Sequence, residues 1–387
     1  MKIRVVHIIA KLELGGAQEN TLYTVSHLNP ERFEPWLITG DEGILLPEAR
    51  RIKNLNLVIV PELKREISPL NELVALIKMT GILRRLRREN PAILIHTHGS
   101  KAGILGRWAG WLARTPERIH TFHGFGFNDY QNFFIRNLYI LIEWLTARVT
   151  TRMIFVSRNN LEKAWRLGIL KGEKGIIIRS GVSLAVFREA RVDRGAKRKE
   201  LGFSPESPLV GMVACLKPQK APLDFARVAR LVRDKFPDCG FILVGDGELR
   251  TQLEKLAAEL DLGDSFKVLG WRRDMPEIMK TIDVLVLTSL WEGLPRVFPE
   301  ALAAGIPIVA TRVDGAEEIV EEEVNGSLCA PRDIQDLARK AIYWLQDENR
   351  NKKAESHKLW EYEIELMVKK HEEFYGGFLF PNRSECG

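Results

Sequence analysis

Two glutamates, Glu292 and Glu300, are separated by seven residues in the run Ser289-Leu290-Trp291-Glu292-Gly293-Leu294-Pro295-Arg296-Val297-Phe298-Pro299-Glu300. Proline suits the first position of a helix, so Pro295 predicts a helix that begins just after Gly293. Such a start presents unpaired amides and roughly half a positive charge, a seat for a diphosphate. A carboxylate there repels phosphate but accepts hydrogen bonds from sugar hydroxyls. Glu292 and Glu300 therefore belong beside a phosphate cradle rather than inside it. Gly305 and Pro307 then end the helix and open the next strand.

Other residues are spaced for chemistry too. Gly15-Gly16 follows an apolar run and precedes a helical pattern, where glycines let the backbone approach a ligand or simply make a tight turn. Gly245-Asp246-Gly247-Glu248 follows another apolar run, and Asp246 is expected either to touch a ligand or to cap the next helix. His96-Thr97-His98 has a spacing that metals use, but no carboxylate or cysteine lies near by in sequence, so a structural or cleft role is expected. Neither Gly-x-Gly-x-x-Gly nor a phosphate loop ending Gly-Lys-Ser/Thr is present, which argues against a dehydrogenase or a phosphate-loop hydrolase.

The elements that must position these residues alternate. Strands are predicted at 3–9, 34–38, 57–60, 93–96, 118–121, 153–156 and 175–178, then at 209–214, 240–244, 266–269, 284–288 and 307–310, with helical patterns between them. That order predicts an α/β protein with parallel sheets. A length of 387 residues predicts two domains, and near-average composition excludes wholesale disorder, collagen and coiled coil. The divisions read here are 1–185, 186–356 and a closing helix with tail at 357–387, with the polar stretch Arg188–Lys199 read as a linker or surface excursion. Cut after Ala185, the net charge of +6 separates into +11 and −5, so the first domain is expected to face an anionic partner. Four scattered cysteines without a C-x-x-C pair suggest reduced thiols and a cytoplasmic setting. The short apolar start reads as a buried strand rather than a signal peptide. The run from Phe133 to Val149 carries Arg136, Glu143 and Arg148 and falls short of a membrane span.

Taken in order, the Glu-x7-Glu segment ending Glu-Ala-Leu-Ala-Ala-Gly-Ile-Pro, Gly15-Gly16-Ala17, His123-Gly124-Phe125, Lys217-Pro218-Gln219-Lys220, Val244-Gly245-Asp246-Gly247 and Leu269-Gly270-Trp271 resemble the family 4 retaining glycosyltransferases of the GT-B fold, group 1, of the kind that builds bacterial polysaccharides. The resemblance covers nearly the whole chain. It implies two Rossmann-like doubly wound domains facing a cleft, acceptor in the first and nucleotide-sugar donor in the second, with a C-terminal helix crossing back to the first. It implies a catalytic set of Glu292, Glu300, His123 and Lys220. It also implies donor contacts at Gly15, Gly16, Cys215, Lys217, Gly245, Trp271, Arg272, Gly293, Leu294, Pro295, Arg296 and Glu300, with no metal or other cofactor.

The chain departs from the family pattern in two places. Cys215 stands where the family carries an arginine, and Lys217 or Arg296 is expected to replace that charge. After the last strand of the first domain, Arg179-Ser180-Gly181-Val182-Ser183 keeps the glycine turn but loses the usual Asn and Asp. The implied reaction transfers a sugar from a nucleotide diphosphate sugar, UDP-linked, to a hydroxyl of a saccharide or polyprenyl-diphosphate-linked acceptor, with retention. A sugar-nucleotide 2-epimerase and a non-catalytic sugar-nucleotide binder are the rival readings. No nucleic-acid module accompanies the basic half. The basic amphipathic pattern Leu70–Arg88 and the aromatic run Phe125, Phe127, Tyr130, Phe133 and Phe134 are expected either to pack in the core or to meet an anionic membrane on its cytoplasmic face.

Overall fold

The computed structural model describes residues 2–64, 66, 68–350 and 352–379. The chain forms two compact units, one built from the residues up to Gly181 together with those from Ile364 onward, the other from Val182–Glu363. The boundaries read in the sequence, 185/186 and 356/357, stand four and seven residues from these. In the second unit the backbone of Val182 pairs with Glu363, and its amide donates to the Tyr362 carbonyl at 2.8 Å.

The first unit holds a seven-stranded sheet of β1 (Ile3–Ile8), β2 (Phe33–Thr39), β3 (Asn56–Ile59), β4 (Ile93–His98), β5 (Glu117–Phe122), β6 (Arg152–Phe155) and β7 (Gly175–Ile177), in the order β3-β2-β1-β4-β5-β6-β7. Every pairing is parallel. β1 and β4 are buried on both faces, the usual reason that such strands read as unbroken apolar runs. The C-terminal helix Ile364–Leu379 belongs to this unit. Its Ile364, Met367, Val368 and Tyr375 share a core with Val5, Phe33, Leu94 and Ile119.

The second unit holds β8 (Leu209–Val213), β9 (Gly240–Val244), β10 (Phe266–Gly270), β11 (Val284–Leu287), β12 (Ile308–Thr311) and β13 (Gly326–Cys329), in the order β10-β9-β8-β11-β12-β13, again all parallel. In each sheet the strand order reverses once, between β1 and β4 and between β8 and β11. Loops leaving neighbouring strands at such a point diverge to opposite faces and open a crevice, where ligands of doubly wound folds bind.

Three readings of the sequence need correction. Arg188–Lys199 is no linker: most of it lies in the helices Leu184–Glu189 and Arg194–Glu200, and Arg198 is buried. Arg198 pairs with buried Asp283 at 2.8 Å, and a composition window cannot see a counter-charge 85 residues away. The strand β13 was not anticipated, because Gly-Ser-Leu-Cys has no strong strand pattern. The helix after Glu292 begins at Val297 rather than after Gly293. The turn that leads into it spans residues 295–298 and is closed by the Phe298 amide on the Pro295 carbonyl at 3.1 Å. Pro299 occupies the first helical turn, where its missing N–H leaves nothing unsatisfied.

Candidate functional site

The crevice of the second unit lies between the loop after β8 and the loop after β11. The first of these turns through a single helical turn, Pro218–Lys220, and the second runs from Thr288 to Arg296. Backbone and side chains stitch them together. The Leu290 amide donates to the Gln219 carbonyl at 2.8 Å, Gln219 Nε2 to the Trp291 carbonyl at 2.9 Å, and Thr288 Oγ1 to the Lys220 and Ala221 carbonyls at 2.9 Å. This clamp brings Lys220 Nζ onto Glu292 Oε1, 72 residues away in sequence. The same oxygen accepts from Ser289 Oγ at 2.6 Å. Glu292 is only 7% exposed, so its ion pair is held in place by packing. Glu300 sits in the first turn of the helix Val297–Ala304, and Arg296 sits at the position just before it.

Two glycines make a third loop fit against this pair. Gly245, at the end of β9, has φ +131°, and a Cβ there would stand 2.1 Å from the Ala214 carbonyl oxygen. Gly247 would meet the Leu216 backbone at 2.7 Å. The loop therefore packs directly on the segment carrying Cys215 and Lys217, which no larger residue would permit. Asp246 does not cap the next helix: it accepts from the Gly247 amide at 2.8 Å and from Arg250 at 2.8 Å. Trp271 is exposed, whereas the Arg272 guanidinium is committed to Asp274 at 2.6 Å and Glu200 at 3.1 Å. Its bond to Asp274 holds that carboxyl below the ordinary range. The Arg272 charge is thus already paired within the protein.

The first unit carries the other expected residues. Gly15 and Gly16 open the helix Gly16–His27 directly after the β1 loop. His123 follows β5, and its Nε2 shares a hydrogen bond with His98 Nδ1 at 3.1 Å. Behind it lies an array that the sequence suggested only in part. Alternation along β4 puts His96 and His98 on one face, and the register of β1 sets His7 opposite His96. His98 Nε2 meets His7 Nδ1 at 2.9 Å, while His96 spends Nε2 on Thr121 at 2.6 Å and Nδ1 on Tyr375 at 2.5 Å. The ring of His371, on the C-terminal helix, lies 5.5 Å from that of His96 and tilted to it. Burial, followed by the charge of His371, pushes His7 down to about 3; burial pushes His371 down to about 4, and His96 and His98 well below the ordinary range.

The ligand nitrogens of His7, His96 and His98 lie within 4.8 Å of one another, a grouping whose donor type would suit a transition metal. Yet both nitrogens of His96 and both of His98 already have protein partners, so the arrangement works as a hydrogen-bonded core of neutral imidazoles. The expected site residues thus form two sets, Lys220, Glu292, Glu300 and the glycine loops in one unit, and Gly15, Gly16 and His123 in the other. The sequence reading missed Ser289 and Gln219, which clamp the loops, because a lone serine or glutamine carries no periodic signal. His7 could have been found by noting that a strand histidine recurs beside the His-x-His strand.

Comparison with known proteins follows this division. Residues 14–186 match the family model for glycosyltransferase family 4, and residues 193–358 match that for glycosyl transferases group 1. The chain is 33% identical over 349 residues to an Escherichia coli UDP-Gal:α-D-GlcNAc-diphosphoundecaprenol α-1,3-galactosyltransferase, covering 89% of each protein. It is 26% identical to the Campylobacter jejuni N,N'-diacetylbacillosaminyl-diphospho-undecaprenol α-1,3-N-acetylgalactosaminyltransferase, over 79% of this chain and 82% of that one. Among solved structures, Anabaena HepE in complex with UDP and glucose shares the fold with a TM-score of 0.81 at 20% identity, covering 97% of this chain and all of that one.

Proposed function

The chain belongs to the family 4, group 1 glycosyltransferases, and from that membership we propose that it moves a hexose from UDP, with retention and without a metal, to a sugar hydroxyl carried on a polyprenyl diphosphate. Nucleotide-sugar-dependent transfer in polysaccharide synthesis is the activity of its relatives; the sugar, the linkage and the lipid are the proposal. The observation that carries it is the Lys220–Glu292 pair at the crevice of the second unit, beside a loop that runs into a helix start. The barrier to transfer is departure of the diphosphate while positive charge builds on the sugar ring. Donors fixed beforehand at the leaving oxygens lower that barrier, each by roughly 3–4 kcal/mol. Lys220 and the amides from Gly293 onward are such donors in this reading, and Lys217 or Arg296 supplies the charge that Cys215 lacks. Glu292 holds Lys220 and faces the transferred sugar, and Glu300 takes the ribose.

The reading extends to a membrane. No helix among the described residues is long and apolar enough to cross one. The helix Phe133–Thr146, however, leaves Phe133 70% and Phe134 78% exposed, with Ile135, Leu138, Leu141 and Leu145 also uncovered. Residues 136–174 hold eight Lys and Arg against three Asp and Glu. An apolar face flanked by cations suits an anionic bilayer surface. The expected aromatic run divides: Phe127 is core, while Tyr130, Phe133 and Phe134 are outside. The helix Pro69–Glu89 adds exposed Leu70, Leu73 and Ile77, but Arg84 and Arg87 bond the Leu112 and Arg114 carbonyls.

Mass spectrometry of products from a nucleotide-sugar panel, incubated with polyprenyl-diphosphate-linked and soluble acceptors, tests the transfer. A new glycan on the lipid-linked acceptor is expected; a product from donor alone would mean an epimerase, and donor binding without turnover a binding protein. Co-sedimentation with phosphatidylglycerol vesicles should fall severalfold in a Phe133→Ser/Phe134→Ser variant. Binding that ignores both the variant and the lipid charge would remove the membrane from the proposal.

A further inference from the structure

We propose that the second unit carries another anion-binding site, at the opposite end of its sheet from the donor loops, that takes a phosphate- or diphosphate-bearing ligand. A cavity of about 470 Å³ opens there, within the size range of small-ligand sites. Its walls include Asp283, which immediately precedes β11, and Gly305–Pro307, which precede β12. The crevice loop of β11 leaves that strand at its other end, and a four-residue strand is about 13 Å long. The cavity is therefore separate from the crevice that holds Lys220 and Glu292.

Its lining is strongly cationic in a unit that is not. Residues 182–363 contain 27 Lys and Arg against 31 Asp and Glu, a balance of −4. The cavity nonetheless gathers Arg191, Arg194, Lys280, Arg350, Lys352 and Lys353 around the single carboxylate of Asp283, a local balance of +5. That carboxylate is already spent: Arg194 holds it at 2.5 Å, Arg198 at 2.8 Å and Arg350 at 3.3 Å. Lys280 and Lys353 make no ion pair or hydrogen bond among the described residues. Burial lowers the Lys280 pKa, and the neighbouring charge of Lys353 lowers it further. Uncompensated like charges around a concave, half-sheltered space repel one another unless an anion enters, and an anion there is attracted by all of them at once. A divalent phosphate matches this field better than a carboxylate does. Arg194 and Arg350, fixed by Asp283, form the floor, and Lys280 and Lys353 are the mobile donors that close on the ligand.

The shared chemistry could come from a free diphosphate compound or from a lipid headgroup, and the test separates them. Full-length protein carrying Lys220→Ala, which weakens the donor crevice, is titrated with inorganic pyrophosphate by calorimetry and by melting temperature. Binding should survive in this background, with a rise in melting temperature. Adding Lys280→Ala and Lys353→Ala should weaken that binding at least tenfold while the fold, read by circular dichroism, is kept. Vesicles containing phosphatidic acid form the second arm. Sedimentation that depends on Lys280 and Lys353 and is competed by pyrophosphate assigns a lipid headgroup; pyrophosphate binding alone assigns a soluble ligand. No pyrophosphate binding in the Lys220→Ala protein, or equal binding after the two further substitutions, overturns the site. In an otherwise native chain, Lys280→Ala/Lys353→Ala should leave sugar transfer within about twofold, so the donor reading stands or falls separately.

Discussion

The two units share an architecture but bury their polar groups by opposite means. Seven of the eight histidines lie in the first unit, and its switch point is lined by neutral imidazoles that bond one another, Thr121 and Tyr375. The second unit buries charge instead: Asp283 under three arginines, and Glu292 against Lys220. A neutral imidazole can be buried cheaply and can donate or accept, which suits sugar hydroxyls. A fixed cation needs a counter-charge to be buried, and it then stands ready for phosphate. The same fold thus lines one switch point with neutral hydrogen-bonding groups and the other with paired charges.

Acid should break this symmetry most strongly. His7 and His371 are held neutral by burial, with values of about 3 and about 4, against 6.5 for the free side chain. Between those values and 6.5 the unfolded chain binds a proton that the folded chain refuses. Stability is therefore complete above pH 6.5, declines as pH falls, and stops declining through each group once its folded value is passed. From pH 6.5 to 4.5 each contributes a loss of about 2 kcal/mol. Hydrogen exchange followed by mass spectrometry should show β1 and β4 losing protection before β8 and β9, and His7→Leu should flatten the dependence. Equal loss in both units would deny the contrast.

Removing the carboxylate that the arginines of the second unit share comes next. Asp283→Ala leaves Arg198 buried without an anion and should destabilise by about 3–5 kcal/mol, read by urea unfolding. A change under about 1 kcal/mol would mean that water already compensates these arginines. Lys220→Ala should reduce transfer about 100-fold in folded protein, and Glu300→Gln about tenfold, with steady-state kinetics as the measure. If both variants turned over like the native chain, the crevice of the second unit would not be the donor site.

Much of the fold was legible because its signals are local. Parallel strands buried on both faces read as short apolar runs, and the helix break at Gly305 before Pro307 reads from two residues. What escaped depends on partners far away in sequence. Arg188–Lys199 looked like a linker because nothing within it shows that Arg198 meets Asp283. The aromatic run from Phe125 to Phe134 looked uniform, yet Phe127 is buried while Phe133 and Phe134 are not. Helical phase alone does not say which face finds a neighbour.

The residues of the crevice were readable in the same uneven way. Glu292, Glu300, Pro295 and Lys220 follow from motif and spacing. That Lys220 lies on Glu292 follows only from the strand order, which puts β8 beside β11 and so brings together loops 72 residues apart. The sequence by itself determined the elements, their alternation and the donor types available, because periodicity and side-chain chemistry are local properties. The tertiary structure alone decided which of those donors meet, which charges are neutralised, and that His7, His96, His98 and His371 form one neutral core. Those outcomes depend on register, crossing order and the exclusion of water.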